Sequence, residues 1–135
     1  MKMPLILHLA VALLHNDAGE VLLVRKDYSK HYMLAGGKIE THESPIAALT
    51  RELYEELSIS VPAYLPHFVG QFSAPAVNEK GYTVQAHLYT LYWPGPIQVG
   101  AEIKQAHWFS PDETKELRLA PLARRVVHAN FIHTY

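Results

Sequence analysis

Cysteine is absent from the 135 residues, so disulfides, thiol nucleophiles and cysteine-ligated zinc are excluded. That absence leaves compartment open, and a cytoplasmic location is the expectation. Excess charge is missing as well: 12 Lys and Arg against 13 Asp and Glu leave a formal net charge of -1. No basic field is available to hold a polynucleotide backbone, so a nucleic-acid polymer is not an expected partner. Long hydrophobic runs are also lacking. Residues 1–14, MKMPLILHLAVALL, look superficially like a leader, but the run is too short to span a membrane, contains His8 and lacks a small-residue cleavage site. It leads directly into HNDAGEVLLVRK, where Asn16, Asp17 and Gly19 are turn residues between two apolar strands. A β-hairpin accounts for both halves, and no membrane association is expected. Repeats, linkers and low-complexity tracts are missing too. With 49% hydrophobic and 19% charged residues, the chain is expected to fold as one domain over residues 1–135.

What is present reads as strands punctuated by turns. Residues 27–31 are polar and loop-like, and in YMLAGGKIE the glycine pair is expected to separate two short extended pieces. Ser44 is a good N-cap and Pro45 suits the first helical position. Ile46, Leu49, Leu53 and Leu57 recur at helical spacing, so residues 45–57 are expected to form a helix. HFVGQFSA and YTVQAHLYTLYW form an expected hairpin around PAVNEKG. WPGPIQVGAE is turn-rich, QAHWFS reads as a short strand, Ser110-Pro111 starts a brief helix, and APLARRVVHANFI is an amphipathic helix. Such an order predicts a mixed sheet covered by helices, in the α/β or α+β class.

The helix at 45–57 carries an oddity. With Glu52 at zero and about 100° per residue, Glu56 falls near 40° and Glu55 near 300°, while Ile46, Leu49, Leu53 and Leu57 occupy about 60° to 140°. Three carboxylates therefore share a face bordering the buried stripe. Like charges at this spacing each cost roughly 0.2–0.5 kcal/mol. Arg51 reaches Glu55 only in the weaker orientation, and positions 48, 59 and 60 hold Ala, Ile and Ser. A solvated acidic face is the ordinary explanation for a run of Glu. Context argues otherwise. Gly36-Gly37-Lys38 precedes the helix and Glu43 stands before its cap, a grouping that suits a hard divalent cation shared with substrate phosphates.

Gly37, five residues, Glu43, seven residues, then Arg51-Glu52-Leu53-Tyr54-Glu55-Glu56-Leu57-Ser58-Ile59 resembles the signature of the Nudix hydrolases, the MutT-like family. Residues 37–59 make it 23 of 135 positions, and only Ser58 departs, where the family usually has Gly. A residue just past a helix often takes a left-handed conformation that costs a non-glycine roughly 1 kcal/mol, so the departure concerns local geometry more than chemistry. The early hairpin and EIKQAHWFSPDE also resemble family members in order and placement.

The resemblance implies the Nudix fold, a mixed β-sheet sandwiched between α-helices. It also implies Mg²⁺-dependent hydrolysis, with Mn²⁺ as a substitute, of a nucleoside diphosphate linked to a further group X. The family expectation is a nucleoside triphosphate, oxidised forms included, cleaved to a monophosphate and pyrophosphate. ADP-ribose or another nucleotide sugar is the alternative, hinted at by Pro75, and a nucleotide-sensing domain without turnover is the alternative of another class. By similarity, Glu52, Glu55, Glu56 and the Gly36 carbonyl would hold metal, with Glu52 also orienting or deprotonating water. Arg51 would orient the acids and Glu43 would support the helix start. Arg25, Lys26 and Lys38 are candidate phosphate contacts, each weighed against being an ordinary solvated cation. Glu79 and Glu102 are candidate further ligands. His107 stands where some relatives have Glu, so no role is carried to it. The nine histidines show no zinc spacing, and Tyr28, Tyr32, Phe72 and Tyr82 could stack on a base, although aromatics on strands are more often core. Homodimerisation is compatible with the resemblance.

Overall fold

The computed structural model describes residues 5–129. Its elements are β1 Leu5–His15, β2 Val21–Lys26, β3 Ala35–Lys38, α1 Pro45–Leu57, β4 His67–Pro75, β5 Tyr82–Tyr92, β6 Ile103–Phe109, α2 Pro111–Thr114 and α3 Pro121–His128. The sheet runs β4-β5-β1-β2-β6, with β3 also paired to β1. β1 and β5 are parallel from Leu5 opposite Tyr82 to His15 opposite Tyr92, whereas the remaining pairs are antiparallel. The sheet is therefore mixed and the class is α/β.

β1 is apolar on both faces because helices cover both. Ala10, Ala12 and Leu14 pack with Leu49, Leu53 and Leu57 of α1. Val11 and Leu13 pack with Leu122, Ala123 and Val126 of α3. The two cores lie on opposite faces of the sheet, and successive side chains of β1 alternate between them with the period of two that a strand dictates.

The expected helix has its expected bounds. The Ser44 hydroxyl accepts a hydrogen bond from the Ala47 N–H at 3.2 Å, and Pro45 begins the first turn. Ser58 ends it in the left-handed region, at φ 58°, and its N–H donates to the Tyr54 carbonyl at 3.0 Å. The serine thus keeps the turn a glycine would make and bears the conformational cost.

Other expectations change. The glycine pair does not separate two extended pieces: Gly36 and Gly37 lie inside β3, opposite Val11 and Ala10 of β1. Gly36 sits at φ 135°, and a Cβ there would strike the Ala10 carbonyl, so the close strand pairing excludes any side chain. The last helix spans Pro121–His128, and the part of its expected range from 130 to 132 lies outside the described residues, as do residues 1–4 of the apolar opening. Among the described residues no helix is long and apolar enough to cross a membrane.

Candidate active site

The helical wheel predicts a gradient that the fold displays. Glu56, nearest the leucine stripe, is 6% exposed. The Glu52 side chain, one step round, is 17% exposed, and that of Glu55, farthest from the stripe, is 55% exposed. One helix face therefore presents a buried, a half-buried and a solvated carboxylate in order.

Glu56 lies under β3, where its Oε1 accepts the Gly36 N–H at 2.9 Å. Burial pushes its pKa up to about 8, reinforced by Glu52 and Glu102 and opposed by the Gly36 hydrogen bond and Lys26. Lys26 is the nearby cation. Burial alone would pull its ammonium down, yet Glu56, Tyr28 and Glu102 outweigh that and leave its pKa raised. A buried carboxylate this reluctant to ionise is one that an arriving cation would stabilise.

Glu52 depends on a missing side chain. A Cβ on Gly37 would fall on the Glu52 carboxylate, 2.6 Å from Oε1 and 2.7 Å from Oε2. Arg51 supplies the rest of its setting, and does more than helical spacing suggested. Its Nε and Nη2 hold Glu43 in a two-point pair at 2.7 and 2.8 Å. Nη1 donates to Glu52 at 2.9 Å and stands 3.5 Å from Glu55, and Nη2 also donates to the Lys38 carbonyl at 3.0 Å. The Arg51 hydrogen bonds, then that of the Glu40 N–H, hold the Glu43 carboxyl at about 2. Arg51 in turn is raised, chiefly by Glu43. One guanidinium thus ties the loop before α1, the end of β3 and two of the three helix acids into a single network.

Gly36, Gly37, Lys38, Arg51, Glu52 and Glu55 border a cleft of about 490 Å³, whereas Glu56, buried beneath β3, and Glu43, behind Arg51, do not line it. Glu52, Glu55, Glu102 and Glu79 contribute carboxylates, with Lys26 and Lys38 among them. Leu9, Val11, Val84, Leu122 and Ala123 supply an apolar wall from the α3 side of the sheet. Lys38 and Glu79 face each other at 3.4 Å as an exposed pair. Tyr28 and Pro75 also line the cleft.

Several residues weighed in the sequence lie elsewhere. Arg25 does not line the cleft, unlike its neighbour Lys26. Its guanidinium donates to the Gln105 side chain at 3.3 and 3.2 Å and to the Ser29 carbonyl at 3.2 Å. Tyr32 packs edge-on against Phe109 at 5.2 Å, and Phe72 lies under the Arg125 guanidinium at 5.2 Å. Tyr82 opens β5 opposite Leu5, and His107 stacks near Phe109 at 4.9 Å. None of the four lines the cleft. Glu40, Asn78, Leu122 and Ala123, by contrast, border it without having been singled out. Asn78 reads as a turn residue and the α3 pair as ordinary core, so the sequence carries no signal for them.

Among the described residues, no three acidic or imidazole side chains converge closely enough to enclose an ion by themselves. Mg²⁺ does not require that, since it characteristically takes one or two carboxylates and completes its shell with substrate phosphates and water. The donors present are hard oxygens, and the Gly37 cradle keeps room for the Glu52 carboxylate. The residues fit such an ion.

Comparison with known proteins agrees with this geometry. The NUDIX domain family model matches residues 7–130. A CTP pyrophosphohydrolase of Escherichia coli (strain K12) is 33% identical over 122 residues, covering 85% of this chain and 84% of that protein. The crystal structure of a MutT protein from Methanosarcina mazei Go1 superposes with a TM-score of 0.78 at 23% identity, covering 97% of this chain and 96% of that one. A bifunctional NMN adenylyltransferase/ADP ribose pyrophosphatase from Francisella tularensis, complexed with AMP and a Mn ion, gives 0.75 at 19% identity over 96% of this chain and 42% of that one. A match over nearly the whole chain, a relative of similar length and an acid-lined cleft built on the signature helix lead to one conclusion: this chain belongs to the Nudix hydrolase family.

Proposed function

We propose that the chain is a Mg²⁺-dependent pyrophosphohydrolase that cleaves a nucleoside triphosphate to the monophosphate and pyrophosphate, and that residues 1–135 form one domain. The observation that carries this reading is the union of carboxylates and an apolar wall in one cleft. A diphosphate needs the first and a base needs the second. The pyrophosphohydrolase of E. coli, whose name specifies CTP, supports a triphosphate as substrate. The Mn ion in the F. tularensis protein supports a divalent ion, although that likeness is one of fold.

Glu52, Glu56, Glu55 and the Gly36 carbonyl are the residues that would hold the ion. Bound there, a divalent ion supplies neutralisation of phosphate charge and acidification of water. The chain's own residues do the remaining work. Glu52, fixed between the Gly37 backbone and Arg51, is placed to orient the attacking water and take its proton. Arg51 holds Glu52 and Glu55 at a set spacing, and Glu43 holds Arg51. Lys26 and Lys38 meet phosphate oxygens, and the wall of Leu9, Val84 and Leu122 excludes water from the base.

Pro75 on the cleft border favours a second reading, ADP-ribose or another nucleotide sugar. A panel of nucleoside triphosphates and nucleotide sugars, assayed with and without Mg²⁺ and resolved by product, separates the two. Monophosphate plus pyrophosphate supports the first, and monophosphate plus sugar phosphate supports the second. No turnover of any compound with Mg²⁺ or Mn²⁺ rejects both and leaves a nucleotide sensor.

A further inference from the structure

The last turn of α1 carries Glu55 and Glu56 but no basic residue to meet its free carbonyls. Backbone donors from the loop between β5 and β6 meet them instead. The Gln98 N–H donates to the Leu57 carbonyl at 2.9 Å, and the Gly100 N–H donates to the Glu56 carbonyl at 2.8 Å. The same loop is fastened at its far end. Ile103 N–H returns to the Gly100 carbonyl at 3.2 Å, the Ile103 side chain is buried in the α1 core, and the Asp27 N–H donates to the Glu102 carbonyl at 3.3 Å. Between these anchors Glu102 reaches the cleft.

Gly100 is where loop and helix come closest. Its φ is not left-handed, so an alanine suits the backbone; what forbids it is space. A Cβ there would fall on the Glu55 carbonyl oxygen, 3.2 Å from the carbonyl carbon and 3.6 Å from the Glu56 Cα. Those are backbone atoms of the turn that aims two acids, and they cannot swing aside as a flexible side chain would.

Building on the function proposed above, we propose that Gly100 is a positioning residue. Its lack of a side chain seats the β5–β6 loop on the last turn of α1 and so sets the spacing of Glu55 and Glu56 on the helix from Glu102 on the loop. The loop acts as a helix cap supplied from outside the helix. Its functional consequence is registration of carboxylates from two segments around one ion and its phosphates, where misplacement by about 1 Å can cost about 100-fold in rate.

The test compares Gly100→Ala with Gly95→Ala, whose Cβ would meet, nearest, the Trp93 ring at 3.4–3.5 Å. Gly100→Ala is expected to lower kcat about 30-fold or more while KM stays within about threefold. Mn²⁺ affinity, read by electron paramagnetic resonance on the full chain, should weaken about tenfold, the scale of losing support for a metal ligand. Circular dichroism should report an intact fold, and Gly95→Ala should match wild type. Gln98→Pro removes one donor to the helix end without adding bulk at Glu55, and should show the same pattern at smaller amplitude. A folded Gly100→Ala with wild-type kcat and Mn²⁺ affinity, or one altered only in KM, overturns the inference. If Gly100→Ala does not fold, wild-type values in Gln98→Pro overturn it. A wild-type chain that turns over no nucleotide overturns the proposed function instead, and Mn²⁺ affinity alone then decides the role of Gly100.

Discussion

Gly37 and Glu52 compete for one volume: the Glu52 carboxylate occupies the place where a side chain on Gly37 would begin. Gly37→Ala is therefore expected to displace the carboxylate and lower kcat about 100-fold, because a shift near 1 Å in a reacting group is enough. Steady-state kinetics with saturating Mg²⁺ check this, alongside a melting curve to show that the protein remains folded. Unchanged kcat would remove Glu52 from the reaction.

Glu56→Gln should lower turnover at least ~100-fold, equivalent to about 2.7 kcal/mol of barrier, without loss of fold. Wild-type turnover in that variant rejects Glu56 as a metal ligand.

The same residue sets a pH trend in metal-free protein. Its folded pKa of about 8 lies above the ordinary 4.5, so the folded state binds the extra proton between those values. Stability attributable to Glu56 is full below 4.5 and is lost as pH rises through about 8. Urea melts of metal-free protein from pH 5 to 9 should show this decline, and Glu56→Gln should flatten it.

Glu43 behaves oppositely. Arg51 holds its carboxyl at about 2, so its contribution is full above 4.5 and disappears as pH falls through about 2. Glu43→Gln should reduce the stability difference between pH 5 and pH 2. It should also lower kcat about 10- to 100-fold, as loss of support for a ligand does, because Arg51 would no longer be fixed between the acids. Acid melts and kinetics at pH 8 measure the two effects separately.

Ser58→Gly should stabilise the protein by up to ~1 kcal/mol, since glycine adopts the left-handed conformation found there without strain. A rise of about 2–8 °C in melting temperature with unchanged kcat is the expected result. A fall in melting temperature would show that the serine is favoured by something other than its backbone.

Lys26→Met and Arg25→Met test which of these two neighbouring cations meets substrate. Loss of a charged hydrogen bond to phosphate costs about 1.5–3 kcal/mol, so Lys26→Met should raise KM by about 10- to 100-fold. Arg25→Met should leave KM unchanged, because its guanidinium is engaged with Gln105 and the Ser29 carbonyl. Equal effects from both would show that Arg25 meets phosphate as well as Lys26.

The sequence by itself determined what depends on near neighbours. Ser44 and Pro45 specify where α1 starts, the spacing of Leu49, Leu53 and Leu57 specifies its buried side, and that periodicity places Glu52, Glu55 and Glu56 together. Such features arise within a few residues of chain, where dihedral preference and helical period act directly. The tertiary structure decided what depends on segments far apart. Strand alternation says that Arg25 and Lys26 point to opposite faces, but only the assembled sheet brings Lys26 to the cleft and holds Arg25 against Gln105. The parallel pairing of β1 with β5, the approach of Gly37 to Glu52, the grasp of Arg51 on Glu43 and the seating of Gly100 on Glu55 are likewise distant meetings. Their geometry follows from sheet order and register, which close packing of the whole chain selects and no local run of residues contains.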